Sequence, residues 1–173
     1  VVVNNAGIQQ RFNVLKADSK HNWDYFSKEI AANLEAPIHL SMLFAPFFIG
    51  KKEAAIINVT SGLAFTPLAI APIYSATKAA LHSFTMSLRH QLSATSIKVI
   101  EIAPPAVNTD LGGTGLHTHG EPLNAFADGI FKGLEEGKLE IGYGTSVERL
   151  RMSRDEIDAH VEKMYNAMKT AVE

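Results

Sequence analysis

Short apolar runs alternate with longer stretches of helical periodicity along the chain. Residues 1–3, all valine, read as a short buried strand, and Asn4-Asn5-Ala6-Gly7 as the turn leaving its C-terminal end. From residue 19 to about residue 48 the pattern predicts a long helix. Pro37 or Pro46 is its candidate point of interruption, because proline has no backbone N–H and kinks a helix interior. Residues 54–59 form an apolar strand after the connector Gly50-Lys51-Lys52-Glu53, and residues 60–72 a loop. A second long helix is predicted over 74–92, with Ala76, Ala80, Phe84, Leu88 and Leu92 recurring every fourth position along one flank. Residues 97–102 are the next strand, β-branched and bounded by turn residues.

Beyond Thr109 the pattern loosens. Gly112-Gly113-Thr114-Gly115 and His117-Thr118-His119-Gly120 read as a mobile loop. Pro122 fits the first turn of a helix carrying Leu123, Phe126, Ile130 and Leu134 and ending near Gly137, and residues 139–141 make a last short strand. Ser153-Arg154-Asp155-Glu156 has the form of a capping box, followed by an apolar stripe of Ile157, Val161, Met164, Met168 and Val172. Strands separated by helices imply an α/β fold, a doubly wound parallel sheet joined by right-handed crossovers. Ligands in such sheets sit beyond the strand C-termini, which is where Asn5, Ser61 and the Pro104 segment fall.

A length of 173 residues suits one domain, and 46% apolar content suits a buried core. The formal charge of −2 is spread without a basic face, so no nucleic-acid partner is expected. Cysteine is absent, which excludes disulfides and thiolate catalysis. The greasiest stretch, residues 40–49, is much shorter than the ~20 residues of a spanning helix. A soluble, cytoplasmic protein without a membrane partner is the expectation.

The chemistry centres on Tyr74 and Lys78, four residues apart and therefore on one face of a helix. A phenol is a poor base at neutral pH, with an ordinary pKa of ~10, and an adjacent ammonium favours its ionised form. Ser61, thirteen positions before the tyrosine, offers a hydroxyl to a developing alkoxide as an oxyanion hole does. Taken alone, each has an ordinary alternative: Tyr74 and Lys78 on a solvated helix face, Ser61 capping a turn. His117, His119 and Glu121 are metal-type ligands, but their spacing fits no recognised site, and no metal is expected.

The motifs occur in a familiar order. Asn4-Asn5-Ala6-Gly7 follows an apolar strand, Asn33 lies in a helix, and Ile57-Asn58-Val59-Thr60-Ser61 and Tyr74-Ser75-Ala76-Thr77-Lys78 come next. With residues 102–109, where Pro104-Pro105 replaces a usual Pro-Gly, they make the chain resemble a classical short-chain dehydrogenase/reductase. The resemblance implies a Rossmann-like sheet, an NAD or NADP cofactor, and hydride transfer between a small-molecule carbonyl and an alcohol. It assigns catalytic roles to Asn33, Ser61, Tyr74 and Lys78, with Asn33 holding a water that relays protons to the lysine. It places Asn5, Ala6, Gly7, Tyr74, Lys78, Pro104, Val107 and Thr109 on the cofactor. It further implies a homodimer or homotetramer built through the two long helices, and makes the 111–121 region a substrate lid. The family's glycine-rich phosphate loop is not found, so the chain is expected to be the C-terminal part of such an enzyme. Two other readings stay open: a non-catalytic binding or assembly module, and a lyase or dehalogenase using the Ser-Tyr pair without nicotinamide.

Overall fold

A computed structural model describes residues 1–16 and 22–169. The predicted helix start at Ser19 and the last stripe residue, Val172, lie outside the described residues.

Four strands, β1 (Val2–Asn4), β2 (Ala54–Val59), β3 (Ile97–Ala103) and β4 (Glu140–Gly142), lie side by side in chain order and pair in parallel. Alternate residues of β2 and β3 feed two cores. Ile56 and Val99 pack with Phe48 and Leu88 on one face, under helices α2 (Ala36–Phe48) and α3 (Pro72–Gln91). Ile57, Ile100 and Ile102 pack with Ile130 of α4 (Leu123–Glu135) on the other. The sheet is therefore doubly wound, as expected.

One expectation about handedness fails. All three crossovers step the same way across the sheet, yet α4 lies on the face opposite α2 and α3. The β3–α4–β4 crossover therefore has the opposite hand to the first two and departs from the right-handed rule. Nineteen residues lie between β3 and α4, enough for the chain to reach that face. There α4 packs close: a Cβ on Gly133 would sit 2.8 Å from Ile141, and one on Gly129 would sit 2.4 Å from Tyr143.

The first long helix opens at α1 (Trp23–Ile30), capped by the Asn22 side chain, and passes through a π-helical turn (Ala31–Glu35) into α2. Pro37 accounts for the turn. It has no N–H for the carbonyl of Asn33, and just before it the Ala36 N–H reaches back five residues to the Ala31 carbonyl. Pro46, in the last turn of α2, causes no break.

In α3 the predicted flank is buried only in its second half. Ala76 is exposed, whereas Leu88 is buried with Phe84 and Leu92 packed beside it, and the inward face also takes Tyr74, Lys78, Leu81 and Thr85. A strict four-residue repeat drifts around a helix of 3.6 residues per turn, so that row cannot hold one face. Two further helices close the chain. The short α5 (Thr145–Arg149), not anticipated, follows β4 through Gly144, whose φ of 51° favours glycine. The α6 helix (Arg154–Ala167) carries the predicted capping box, with its apolar stripe only half-buried. Among the described residues no helix is long and apolar enough to cross a membrane.

Candidate active site

The first turns of α3 bring Tyr74 and Lys78 into the protein, 6% and 3% exposed. The Lys78 ammonium donates to the Val59 carbonyl at the end of β2 (2.8 Å) and lies 5.6 Å from the centre of the Tyr74 ring. Among the described residues, its two remaining hydrogens have no acceptor. Burial lowers the Lys78 pKa to about 8, against the raising field of Glu29.

Lys78 does not pull Tyr74 into the neutral range. Burial pushes the phenol up to about 12, the Ser61 hydroxyl lowers it and Glu29 raises it further. The desolvation of a phenol almost sealed from water outweighs an ammonium several ångströms away that is itself partly deprotonated near its own pKa of about 8. At neutral pH the phenol is protonated, the form in which it can give a proton.

Ser61 ends the segment after β2 and caps a 3₁₀ turn (Gly62–Ala64), accepting the Leu63 N–H at 3.1 Å. Its ordinary capping role is thus present too, and its own hydrogen is left to face the Tyr74 hydroxyl, whose pKa it lowers. The Gly62 N–H donates to the Pro104 carbonyl (2.8 Å), which ties the Ser61 loop to the segment leaving β3.

Asn33, fully buried, sits in the π-helical turn. Its side chain accepts the Ile8 N–H (2.9 Å) and donates to the Ile8 carbonyl (2.8 Å) and the Thr77 hydroxyl (3.3 Å). Gly7 lies between this amide and Lys78: a Cβ there would sit 3.2 Å from Asn33 Oδ1 and 3.6 Å from Lys78 Nζ. Asn33, Ser61, Tyr74 and Lys78 therefore meet at the C-terminal edge of the sheet.

The expected cofactor residues are more dispersed. Asn5 and Ala6 are exposed, and the tie across the sheet falls to Asn4. Asn4 Nδ2 donates to Asn58 Oδ1 (2.7 Å), and Asn58 in turn donates to Thr85 (2.9 Å). Val107 is buried and bridges to Glu121, and the Thr109 hydroxyl donates to the Val107 carbonyl (3.4 Å). The unused Lys78 donors and the exposed Asn5 and Ala6 are the groups here that a dinucleotide could meet.

Among the described residues, the His and acidic side chains close enough to share a cation are His82, Glu101 and Glu140, not His117, His119 and Glu121. Sequence reasoning missed two buried carboxylates. Glu101 accepts from Thr60 (2.7 Å) and from His82 Nδ1 (2.8 Å), and the signal for it was a lone acid inside the apolar run Ile100-Glu101-Ile102. Glu29, also fully buried, stands one helical turn before Asn33, and that spacing was its signal.

Residues 1–118 match the family described as short chain dehydrogenase. The chain is 45% identical over 98% of its length to an uncharacterized oxidoreductase, DltE, of Bacillus subtilis, covering 67% of that protein. It is 29% identical over 85% of its length to the NADP-dependent 3-hydroxy acid dehydrogenase YdfG of Escherichia coli, covering 52% of it. A Burkholderia cenocepacia short chain dehydrogenase solved with NADP shares the fold, with a TM-score of 0.77 at 24% identity, 95% of this chain and 68% of that one. The chain thus spans between about half and two thirds of the length of these relatives. With this match over residues 1–118 and the similarity to the Bacillus oxidoreductase, the chain belongs to the short-chain dehydrogenase family.

Proposed function

We propose that this chain carries the catalytic residues of an NAD- or NADP-dependent oxidoreductase that interconverts a small carbonyl compound and its alcohol. The observation that carries this reading is a buried Tyr74 phenol beside the Ser61 hydroxyl and the Lys78 ammonium. NADP in the Burkholderia neighbour, and the NADP-dependent hydroxy acid dehydrogenase among the relatives, support the cofactor class.

When bound, the nicotinamide supplies or accepts the hydride. Lys78 would hold the adjoining ribose with its two free hydrogens, and the segment from Pro104 through Val107 to Thr109 would flank the nicotinamide. In reduction, Ser61 donates a hydrogen bond to the substrate oxygen, and Tyr74 gives that oxygen its proton. In oxidation the same phenolate takes the proton back. Asn33 fixes the segment after Gly7 through both Ile8 backbone groups, keeping the floor of the site in place.

The assembly would be a homodimer or homotetramer paired through the two long helices. Met42, Leu43 and Phe47 on α2 and Met86 on α3 are exposed apolar side chains that such a contact would cover.

The test is nicotinamide absorbance with the full-length protein, NADPH or NADH, and a panel of ketones, aldehydes and hydroxy acids. Carbonyl-dependent oxidation of one cofactor is expected. A protein that binds neither cofactor and turns over no carbonyl contradicts the reading, and turnover of a substrate without nicotinamide points to lyase chemistry.

A further inference from the structure

Three arginines follow one another closely after β4, and only one of them lacks a counter-charge. Arg151 pairs with Glu140 at 2.6 Å and Arg154 with Asp158 at 2.8 Å, both with exposed guanidinium groups. Arg149 is the more buried of the three, yet its side chain forms no ion pair or hydrogen bond with the described residues. Burial lowers its pKa and no carboxylate acts in the other direction. A cation partly withdrawn from water is costly unless an anion meets it, so an unmatched one marks where an anion belongs. The α5 helix places this cation beside Ser61. A Cβ on Gly62, the next residue after Ser61, would sit 2.5 Å from Ser146 Oγ, 3.2 Å from Arg149 Cδ and 3.4 Å from Arg149 Nη1. The guanidinium therefore rests on backbone that the Gly62 N–H ties to the Pro104 carbonyl. Ser146, fully buried, walls the arginine stem, and Arg149 Nε is sealed without a partner, whereas the two terminal nitrogens are not sealed. The end of the fork is the part open to a ligand. His160 on α6 adds no negative charge: burial and the fields of Arg149 and Lys163 lower its pKa.

We propose that Arg149 is a specificity-determining residue that binds a carboxylate on the substrate, so that the enzyme acts on oxo acids and the matching hydroxy acids in preference to neutral carbonyl compounds. This rests on the reading of Ser61 and Tyr74 as the groups that meet the reacting oxygen. A substrate whose oxygen lies at the Ser61 hydroxyl has the rest of its short chain beside Gly62, where the guanidinium lies. The planar fork of terminal N–H groups matches a carboxylate with two parallel hydrogen bonds, which a neutral amide cannot reproduce. Arg149 moves no proton and no hydride; it orients the molecule on which Tyr74 acts.

The test uses the full-length protein with a series of 2-, 3- and 4-oxo acids, each beside its oxo amide as the neutral counterpart. By nicotinamide absorbance, the best acid should be reduced with a kcat/KM at least about tenfold above that of its amide. Arg149→Gln should lower kcat/KM for the acid roughly ten- to a hundredfold, mainly through KM, and leave the amide within about threefold. Arg149→Lys, which keeps the charge and loses the fork, should fall between the two. A wild type that treats acid and amide alike overturns the role, and this needs no variant to fold. So does an Arg149→Gln protein in which acid and amide decline together, since that is what a purely structural residue gives. A wild type that reduces no carbonyl contradicts the dehydrogenase reading instead, and the carboxylate site is then read by binding. The Arg149 Nε–H signal in NMR, identified by its loss in Arg149→Lys, should shift when the oxo acid is added and stay in place with the amide. A signal unmoved by every acid overturns the proposal.

Discussion

His82→Ala removes the main donor to a carboxylate that has no route to water. Glu101 is fully buried and His82 is 21% exposed at its side chain, with Nδ1 at 2.8 and 3.0 Å from the two carboxyl oxygens. Thr60 remains as a second donor at 2.7 Å. Breaking a buried pair by removing one partner costs roughly 3–5 kcal/mol. With Thr60 still bonded, a loss of about 2–3 kcal/mol is expected, seen as a fall of roughly 1–2 M in the urea midpoint. The pH dependence sharpens the test. The Glu101 hydrogen bond raises the His82 pKa above 6.5, helped by the charges of Glu101 and Glu140 and opposed by burial and Arg89. A group whose folded pKa is raised stabilises fully below its unfolded pKa and loses that contribution as pH rises through the folded value. The gap between wild type and His82→Ala should therefore be full below the ordinary histidine pKa of about 6.5 and narrow as the pH rises above it. A gap that is constant across that range, or a cost below ~0.5 kcal/mol, would refute the coupling between His82 and Glu101.

Gly7→Val should displace the Asn33 amide, because even a Cβ comes within 3.2 Å of an oxygen already fixed by the Ile8 N–H; the expected cost is about 1–3 kcal/mol in chemical denaturation, with weaker NADPH binding in a fluorescence titration. Ser153→Ala removes one side of the capping box and should cost about 1 kcal/mol, read as faster amide exchange in the first turn of α6 without change in α3. Burial raises the Tyr74 pKa from its ordinary 10.0 to about 12, so the wild type should lose stability as pH rises through that interval, and Tyr74→Phe should lose less by circular dichroism.

Where apolar residues set the pattern, the fold was legible in the sequence. The strands over 54–59 and 97–103 are near-continuous apolar runs because both of their faces are buried, and Ser153 with Glu156 announced α6 at the correct residue. The buried face of α3 was legible only in part, through Phe84, Leu88 and Leu92. Its inward residues also include Lys78, Thr77 and Thr85, polar side chains whose burial depends on Val59, Tyr74, Asn33 and Asn58, which satisfy or neighbour them. Glu29 and Glu101 were hidden for the same reason, since burial of a carboxylate depends on partners distant in sequence such as Gln10, Thr60 and His82. Pro37 pointed to an interruption, and the structure shows what form it takes: a widened turn that carries Asn33 rather than a break. The hand of the last crossover depends on which face α4 covers, and no residue pattern within α4 encodes that.

The central claim is that the Tyr74 phenol supplies the proton. Tyr74→Phe keeps the ring and removes only the hydroxyl, so single-turnover carbonyl reduction by the full-length protein at saturating cofactor measures that proton directly. The account predicts a fall in rate of at least about a hundredfold, the usual scale for a positioned acid, with cofactor affinity little changed. Near-normal reduction by that variant, with the fold intact, would contradict it.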